Sequence, residues 1–265
     1  MASAKDIIIK PISAQAANAL VKRVHYSGKV VNNSSLHFGA FLNNKLEGVM
    51  SFGSPMDKRK ILPLVDGTQW SGMLELNRMA FSDLLPRNSE SRAMSIAFKL
   101  IKKHYPHIEW ILSFSDGCQC GDGTIYRASG FVLTQVKQNS SLYQTPCGTP
   151  IARMTWDSAT PERRILIAKQ YGISKFDAAS FIAKTAKMNG MRSLSGYQLR
   201  YVYFINPEAK KRLTVPILPF SKIDEMGAGM YKGKPKRLTE ANSGVQPESG
   251  GATPTQTLQS IKGEQ

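Results

Sequence analysis

The chain has few cysteines, no long apolar run and a shortage of acidic residues. Three cysteines occur in 265 residues, and this odd, small number disfavours a disulfide framework and indicates a reducing compartment. No run approaches the roughly 18 apolar residues of a membrane span, and the first residues lack the apolar stretch of a signal peptide. We therefore expect a cytoplasmic protein that is neither secreted nor inserted in a membrane.

The shortage of acidic residues leaves a strongly basic chain. Lysine and arginine number 35 against 19 aspartates and glutamates, for a net charge of +16. Residues 1–221 hold 29 basic and 14 acidic residues, so +15 of this charge lies there. A folded region with this positive charge attracts polyanions, of which nucleic acid is the commonest. A basic protein without a polyanionic partner is the alternative on charge alone.

Alternating strand and helix patterns predict an α/β fold with a mixed central sheet flanked by helices. Helices are predicted after the N-cap Ser13, after Pro86 and through Tyr126, each with apolar residues at helical spacing or a glycine stop. The run from Trp110 to Phe114 is short and apolar, which predicts a buried central strand. The predicted strands cover residues 7–9, 36–42, 46–52, 74–80, 110–114, 131–136 and 197–205.

Composition divides the chain into four parts. We predict a core over residues 1–156, a helical insertion over 157–190, a final strand and closing segment over 191–226, and a disordered tail over 227–265, where large apolar residues become scarce. The insertion contains one predicted helix up to Gly172 and a second from Ser174 to Met188. These two helices resemble a helix-turn-helix, although an αα-hairpin packed on the sheet carries the same glycine and is the interpretation we favour.

The segment from Thr124 to Phe131 contains the pattern Tyr-x-x-x-Gly-Phe, which resembles the helix-to-strand junction of GNAT-type acyltransferases. Gly130 ends the helix and Phe131 begins a buried strand. Tyr126 would then point into the cleft and give its proton to a leaving group. A tyrosine that packs in the core, with its hydroxyl bonded to the backbone, is the alternative.

Longer motifs resemble the phage Mom family, and they spread over roughly residues 20–235. They are Val49-Met50-Ser51-Phe52-Gly53-Ser54-Pro55, Glu75-Leu76-Asn77-Arg78-Met79-Ala80, Leu85-Pro86-Arg87-Asn88-Ser89-Glu90-Ser91-Arg92, the stretch from Ser113 to Phe131 with its loop Asp116-Gly117-Cys118-Gln119-Cys120-Gly121-Asp122-Gly123, Tyr197-Gln198-Leu199-Arg200-Tyr201, and Leu218-Pro219-Phe220-Ser221-Lys222.

The resemblance implies a GNAT-like fold and a transferase that acts on double-stranded DNA. The activity it implies places a carbamoylmethyl group on adenine N6 and so protects phage DNA from host restriction, in the cytoplasm of an infected or lysogenic bacterium. Composition and spacing are compatible with this activity. The chemistry requires an activated donor, a positioned base and a target adenine that leaves the base stack.

Five residues are candidates for the catalytic groups. Asp116 and Asp122 flank the glycine-rich loop after the central strand, where α/β sheets place their sites, and His25 and Tyr26 close the first helix. His25 and the two aspartates could instead have structural roles. A histidine at the end of a helix complements the helix dipole, and Asp-Gly pairs shape ordinary turns. Which group is the base stays open, as does a catalytic metal ion held by His25 and an aspartate. The set is His25, Tyr26, Asp116, Asp122 and Tyr126.

A second set of residues is predicted to bind the donor and the DNA backbone. The start of the helix after Pro86 offers free amides to a phosphate, and the donor set is Arg78, Arg87, Asn88, Ser89, Ser91 and Arg92. Residues 74–116 contain no glycine, unlike the glycine-rich phosphate loop of GNAT acetyltransferases, which puts ordinary acyl-CoA use in doubt. A glycyl group carried by charged tRNA is our hypothesis for the donor. The DNA-binding set is Lys22, Arg23, Lys175, Lys184, Lys187 and Arg200.

Two other functions stay open. A DNA-binding protein without catalytic activity would use the insertion, but it would not need the polar loop between Asp116 and Asp122. A conventional GNAT N-acetyltransferase acting on protein or a small amine would need the phosphate loop that the chain lacks.

Overall fold

The computed structural model describes residues 2–231 and 234–236 of the chain. No helix within these ranges is long and apolar enough to cross a bilayer. The strands are β1 (Ile8–Pro11), β2 (Ser34–Leu42), β3 (Lys45–Gly53), β4 (Met73–Phe81), β5 (Trp110–Gly117), β6 (Val132–Gln138), β7 (Leu142–Gln144), β8 (Pro150–Ala152), β9 (Tyr197–Phe204), β10 (Met230–Tyr231) and β11 (Lys234–Pro235). The helices are α1 (Ala14–Val24), α2 (Lys58–Ile61), α3 (Ser89–His104), α4 (Thr124–Ala128), α5 (Arg153–Asp157), α6 (Pro161–Gln170), α7 (Ile182–Met188) and α8 (Ser221–Glu225).

A mixed sheet of seven strands forms the centre of the fold, in the order β1-β2-β3-β4-β5-β9-β6. All neighbours in it are antiparallel except β4 and β5, which are parallel. The parallel pairing joins only residues 73–75 to residues 110–112. Beyond that point β5 continues beside β9 alone, so a cleft opens between β4 and β5. The predicted fold class, a mixed central sheet flanked by helices, is confirmed.

Helices cover both faces of this sheet. Helix α3 buries Ala97 and Ile101 in the main apolar core together with Met50 of β3. Helix α1 begins after Ser13, whose Oγ accepts a hydrogen bond from Ala16 N–H at 3.2 Å. Whereas α3 packs against Met50, α1 packs against Val49, the residue before it. Because successive residues of a strand point to opposite faces, α1 and α3 lie on opposite sides of the sheet.

The central strand β5 departs from its prediction at one residue. Trp110 and Leu112 are fully buried on the face opposite α3, as the apolar run predicts, but Phe114 on the same face is 41% exposed. The prediction of a buried strand is therefore wrong at Phe114. The cause is long-range, since among the described residues this face is covered at one end of β5 and open at the other.

The insertion between β6 and β9 is a small packing unit with its own core. The hairpin of β7 and β8 and the helices α5 to α7 surround the fully buried Trp156. Arg164 stabilises this core from inside, because its buried guanidinium donates hydrogen bonds to four backbone carbonyls, those of Trp156, Asp157, Ala178 and Ser180.

The second helix of the insertion is shorter than predicted. It begins at Ile182 rather than at Ser174, so the prediction is wrong over residues 174–181. Asp177 accepts hydrogen bonds from Ala179 N–H at 2.9 Å and from the Ser180 hydroxyl at 2.7 Å, and this local turn competes with a helix. The long connection between α6 and α7 does not fit a helix-turn-helix, whose turn has about 3–4 residues.

The segment after Gly227 is folded further than composition predicts. The described residues 227–231 and 234–236 pack beside the loop that follows β5, where Met230 is buried and β10 pairs with β11. Lys236 Nζ lies 2.7 Å from Asp122 Oδ2. The predicted disordered tail is therefore wrong for these residues, because a few apolar and cationic side chains find buried partners. The rest of that prediction falls on residues 232–233 and 237–265, outside the described residues.

Candidate active site

Three of the predicted catalytic residues meet at the mouth of the cleft between β4 and β5. The Tyr26 hydroxyl donates a hydrogen bond to Asp116 Oδ2 at 3.2 Å, although 90 residues separate the two in sequence. The rings of His25 and Tyr26 lie 4.3 Å apart. The end of α1 and the end of β5 thus bring His25, Tyr26 and Asp116 into one cluster.

His25 is neutral in this cluster. Burial lowers its pKa to about 4, and the nearby Arg78 contributes in the same direction against the opposing effect of Asp116. Its Nδ1 accepts a hydrogen bond from Ser27 N–H at 3.1 Å, so the neutral ring carries its proton on Nε2. A neutral imidazole does not complement a helix dipole as a cation would. The structure therefore favours a hydrogen-bonding role for His25.

Asp116 is held by donors from three parts of the chain. Burial and the nearby Asp116 raise the pKa of Tyr26, which keeps its hydroxyl protonated as a donor to that carboxylate. Asp116 also accepts from Cys118 N–H at 3.0 Å, from Gln119 Nε2 at 2.8 Å and from Gln198 Nε2 at 3.1 Å. These bonds fix the carboxylate and order the loop that follows it.

Glu75 is the functional candidate that sequence reasoning missed. It lies on β4 at the last residue paired with β5, where the cleft begins. Burial raises its pKa to about 7, although Arg78 and a hydrogen bond with Asn77 oppose this shift. A carboxyl group with such a pKa suits general base catalysis near neutral pH. The available signal was an acidic residue between Leu74 and Leu76 in a strand that is otherwise mostly apolar.

Arg78 connects the cleft to the loop after α1. Its Nε donates to the Lys29 carbonyl at 2.9 Å and its Nη1 to the Asn77 carbonyl at 2.8 Å. Its charge acts on His25 and Glu75. The structure thus places this predicted phosphate ligand near His25, Tyr26 and Glu75.

Tyr126 and Asp122 are both enclosed by protein. Tyr126 is 8% exposed and packs in the core beside Phe131 and Tyr201, each with its ring centre 5.2 Å away. Burial raises its pKa, and a hydrogen bond with Ser113 lowers it. The ring of Tyr126 packs in the core as in the alternative, but its hydroxyl is bonded to the Ser113 side chain instead of the backbone and lies within electrostatic reach of Glu75 and Arg78, so its role in proton transfer stays a prediction.

Asp122 is 1% exposed and its carboxylate is fully occupied. Arg127 and Lys236 form ion pairs with it at 3.2 and 2.7 Å, and Thr124 Oγ1 and Met230 N–H donate at 3.0 and 3.3 Å. These bonds hold the C-terminal hairpin of β10 and β11 against the loop. A catalytic role for Asp122 would require this network to open, so Asp116 is the aspartate that the cleft presents.

The predicted donor site lies at the start of α3. Asn88 occupies the N-cap in a left-handed conformation, φ 70°, and its side chain makes no capping hydrogen bond. The Ser89 hydroxyl is buried with no partner among the described residues. Ser91 Oγ donates to the Asn88 carbonyl at 3.1 Å, and Arg92 reaches the Lys5 carbonyl at 3.5 Å. Arg87 precedes this N-cap in the loop, and the arrangement suits an anion.

Most of the predicted DNA-binding residues lie on the surface. Lys22 and Arg23 are exposed on the last turn of α1, and Lys184 and Lys187 are exposed on α7, where Lys184 pairs with Asp177 at 2.9 Å. Lys175 is exposed in the connection between α6 and α7 instead of on a helix. Arg200 is half-buried on β9, where its Nε donates to Thr134 Oγ1 at 3.0 Å.

No cluster of three or more histidine, cysteine, aspartate or glutamate side chains that could hold a metal ion occurs within residues 2–231 and 234–236. Cys118 and Cys120 are unpaired thiols beside Asp116. Burial, with that neighbouring carboxylate, raises the pKa of Cys118 to about 11 and raises that of Cys120 as well. Both therefore remain thiols near neutral pH.

Comparisons with known proteins give one close relationship in sequence. The profile of the Mom protein family matches residues 6–222. The protein named methylcarbamoylase mom, from Escherichia phage Mu, is 34% identical over 214 residues, which cover 80% of this chain and 81% of that protein.

Solved structures with similar folds are acetyltransferases of low sequence identity. An IAA acetyltransferase from Bacillus cereus matches with a TM-score of 0.40 and 11% identity over 75% of this chain and 99% of its own. The ribosomal-protein-S18-alanine N-acetyltransferase from Escherichia coli matches with a TM-score of 0.39 and 11% identity, over 76% and 94% of the two chains. A GNAT family acetyltransferase from Elizabethkingia anophelis has a TM-score of 0.38, 11% identity and coverage of 75% and 98%.

Proposed function

The chain belongs to the Mom protein family, and from that premise we propose that it is a transferase that places a carbamoylmethyl group on N6 of adenine in phage DNA. The modified base would protect the DNA from host restriction enzymes. The observation that carries this proposal is the cleft between β4 and β5, where Glu75, with a pKa of about 7, lies within the electrostatic reach of Arg78.

The chemistry of adenine explains why such a carboxylate is needed. The N6 lone pair is delocalised into the ring, so N6 attacks slowly and must lose a proton as its new bond to carbon forms. Glu75 is about half ionised at pH 7 and accepts that proton. The leaving group of the donor departs with the electrons of the bond that breaks, and the bond between N6 and the donor carbon replaces it.

The other groups of the cluster position the reactants. Neutral His25 offers its Nε2–H to an oxygen that gains charge during transfer. Tyr26 and Asp116 form a fixed hydrogen-bonded pair at the mouth of the cleft. Asp116 also holds the loop of Cys118 and Gln119, so its loss would disturb both the acceptor side and the loop.

The donor would be carried on an anionic molecule that binds at the start of α3. The uncapped N-terminus at Asn88 and the unpartnered hydroxyl of Ser89 support an anion there. The absence of glycine from residues 74–116 argues against the close backbone approach that a pyrophosphate of acyl-CoA needs. A glycyl group on charged tRNA supplies two carbons and a nitrogen. Attack of N6 on its carbonyl carbon breaks the ester bond to the tRNA and gives the N6-glycyl isomer. Attack of the glycyl amine on adenine C6, with cleavage of the original bond between C6 and N6, then gives the carbamoylmethyl product. Because glycine also enters the purine ring, the test compares two bases from the same cells fed isotopically labelled glycine: modified adenine should carry more label than unmodified adenine, and equal labelling of the two would exclude this donor.

A restriction test examines the function itself. Plasmid DNA from cells that express the protein should resist restriction enzymes whose sites contain adenine, and DNA from cells with Glu75→Gln should be cut normally. Glu208→Gln is the matched control, because Glu208 is exposed and pairs only with Lys211 in the described chain. Full cutting of DNA from the wild-type cells, with the protein abundant and folded, would contradict the proposal and favour a DNA-binding protein without catalytic activity.

A further inference from the structure

One face of the sheet is uncovered where a buried core would be expected. Phe114 lies on β5, near the middle of a seven-stranded sheet, yet 41% of it is exposed. Trp110 and Leu112 on the same face of the strand are fully buried beneath the 3-10 segments near Leu64 and Ala209. Within residues 2–231 and 234–236, one end of this face is thus covered and Phe114 lies at the floor of an open groove.

Strand pairing surrounds this phenylalanine with polar side chains. Directly paired residues share a face of a sheet, and one row across the three strands contains Phe114, Arg200 and Gln135. The next row contains Asp116, Gln198 and Lys137. Apart from Arg200, these residues and others from the start of the insertion line a groove of about 420 Å³, a size typical of small-molecule sites, which span roughly 300–1,000 Å³.

The groove is continuous with the catalytic cluster through Asp116. One carboxylate oxygen of Asp116 accepts from Tyr26 and the other from Gln198. Gln198 donates to Asp116 through Nε2, and the amide oxygen of the same side chain is of the type that accepts from an amino group. Phe114 is two residues from Asp116, which is roughly 7 Å along a strand. The edge of a planar ring stacked on Phe114 would therefore reach Asp116.

We propose that this groove binds the target adenine after it has rotated out of the duplex, with its ring stacked on Phe114 and its edge facing Gln198 and Gln135. This inference rests on the proposed function, because it identifies the acceptor subsite of that reaction. Stacking on an aromatic side chain, amide groups for the base edge and cations for the backbone are the elements that flipped-base sites require. Lys137 supplies a cation in the lining of the groove.

The experiment compares binding to two duplexes that differ in one position. Both carry the same site, taken from DNA that becomes modified in cells, and the target adenine faces thymine in one and an abasic position in the other. An unpaired base costs less to extrude, so the wild-type protein should bind the second duplex more tightly. Phe114→Ala should reduce this preference about tenfold, the scale of one stacked base. Phe114→Trp should keep it.

Matched controls separate the groove from general effects on folding and charge. Phe220→Ala removes an aromatic ring of similar exposure, 38%, that contacts Arg127 instead of the groove, and it should leave the preference unchanged. Equal affinity of the wild-type protein for the two duplexes, or a preference that survives in Phe114→Ala, would overturn the inference. After either of these results, modification of DNA in cells by the wild-type protein would still support the proposed function. A wild-type protein that neither modifies nor binds DNA would overturn both.

Discussion

Replacing Glu75 with glutamine should stabilise the folded protein at alkaline pH while it abolishes activity. Burial holds the pKa of Glu75 at about 7, against 4.5 for an ordinary glutamate. The folded protein keeps this proton up to about pH 7, whereas the unfolded chain releases it near pH 4.5. The stability that the group contributes is therefore complete below pH 4.5 and is lost as the pH rises through 7. The loss amounts to about 3 kcal/mol, and glutamine, which does not titrate, avoids it.

Thermal unfolding at two pH values measures this effect. Relative to the wild-type protein, Glu75→Gln should gain about 2 to 3 kcal/mol between pH 5 and pH 8, or roughly 5–10 °C in Tm for a domain of this size. The exposed Glu208→Gln should follow the wild-type protein at both values. Removal of a general base costs roughly 10²- to 10⁴-fold in rate, so the stabilised variant should leave DNA unmodified. If the Tm difference between Glu75→Gln and the wild-type protein were the same at pH 5 and pH 8, the raised pKa of Glu75 would be refuted.

Three further predictions concern other parts of the molecule. Asp122→Asn weakens the two ion pairs of the buried Asp122 carboxylate, those with Arg127 and Lys236. Denaturant unfolding should show a free energy of unfolding lower by about 3 kcal/mol, and an unchanged midpoint would contradict a stabilising role for these ion pairs. Joint replacement of Lys184 and Lys187 by alanine should reduce the slope of log affinity for DNA against log salt by about 2, and an unchanged slope would place the DNA elsewhere. NMR titration of His25 should show a midpoint near pH 4 with the proton of the neutral ring on Nε2, whereas a midpoint near 6.5 would mean that the ring is not buried as described.

Local patterns predicted most of the fold. Ser13 caps α1 as expected. Asn43 and Asn44, between the strands predicted over residues 36–42 and 46–52, form a turn with φ of 49° and 61°, which asparagine tolerates well. Helix α3 buries the apolar stripe that its spacing indicates, including Ala97 and Ile101. These features depend on interactions between residues close in sequence, and single-residue preferences are informative there.

The errors arise where a distant contact overrides the local pattern. Residues 174–181 have helical composition, yet Arg164 of α6 donates hydrogen bonds to the carbonyls of Ala178 and Ser180, 14 and 16 residues away, in addition to the local Asp177 turn. The C-terminal segment contains few apolar residues, yet Lys236 pairs with a buried aspartate 114 residues away. Neither partner can be identified from the composition of the segment alone.

The candidate site was predictable in part for the same reason. His25, Tyr26 and Asp116 are chemically conspicuous residues at the ends of predicted elements, and the fold brings them together. Glu75 and Phe114 were missed because their importance depends on which residues cover them. An acidic residue in a strand and an aromatic residue in an apolar run look ordinary until the cleft and the uncovered face of the sheet are known.

Nucleoside mass spectrometry tests the central claim most directly. DNA from cells that express the wild-type protein, from cells with Asp116→Asn and from cells with Glu75→Gln is digested to nucleosides, and fragmentation locates any added mass on the base. The account predicts a heavier deoxyadenosine in the wild-type sample, with the addition on the adenine, and its loss in both variants. Unmodified deoxyadenosine in the wild-type sample, or a modified base that persists in Glu75→Gln, would contradict the assignment of this cleft as the site of adenine modification.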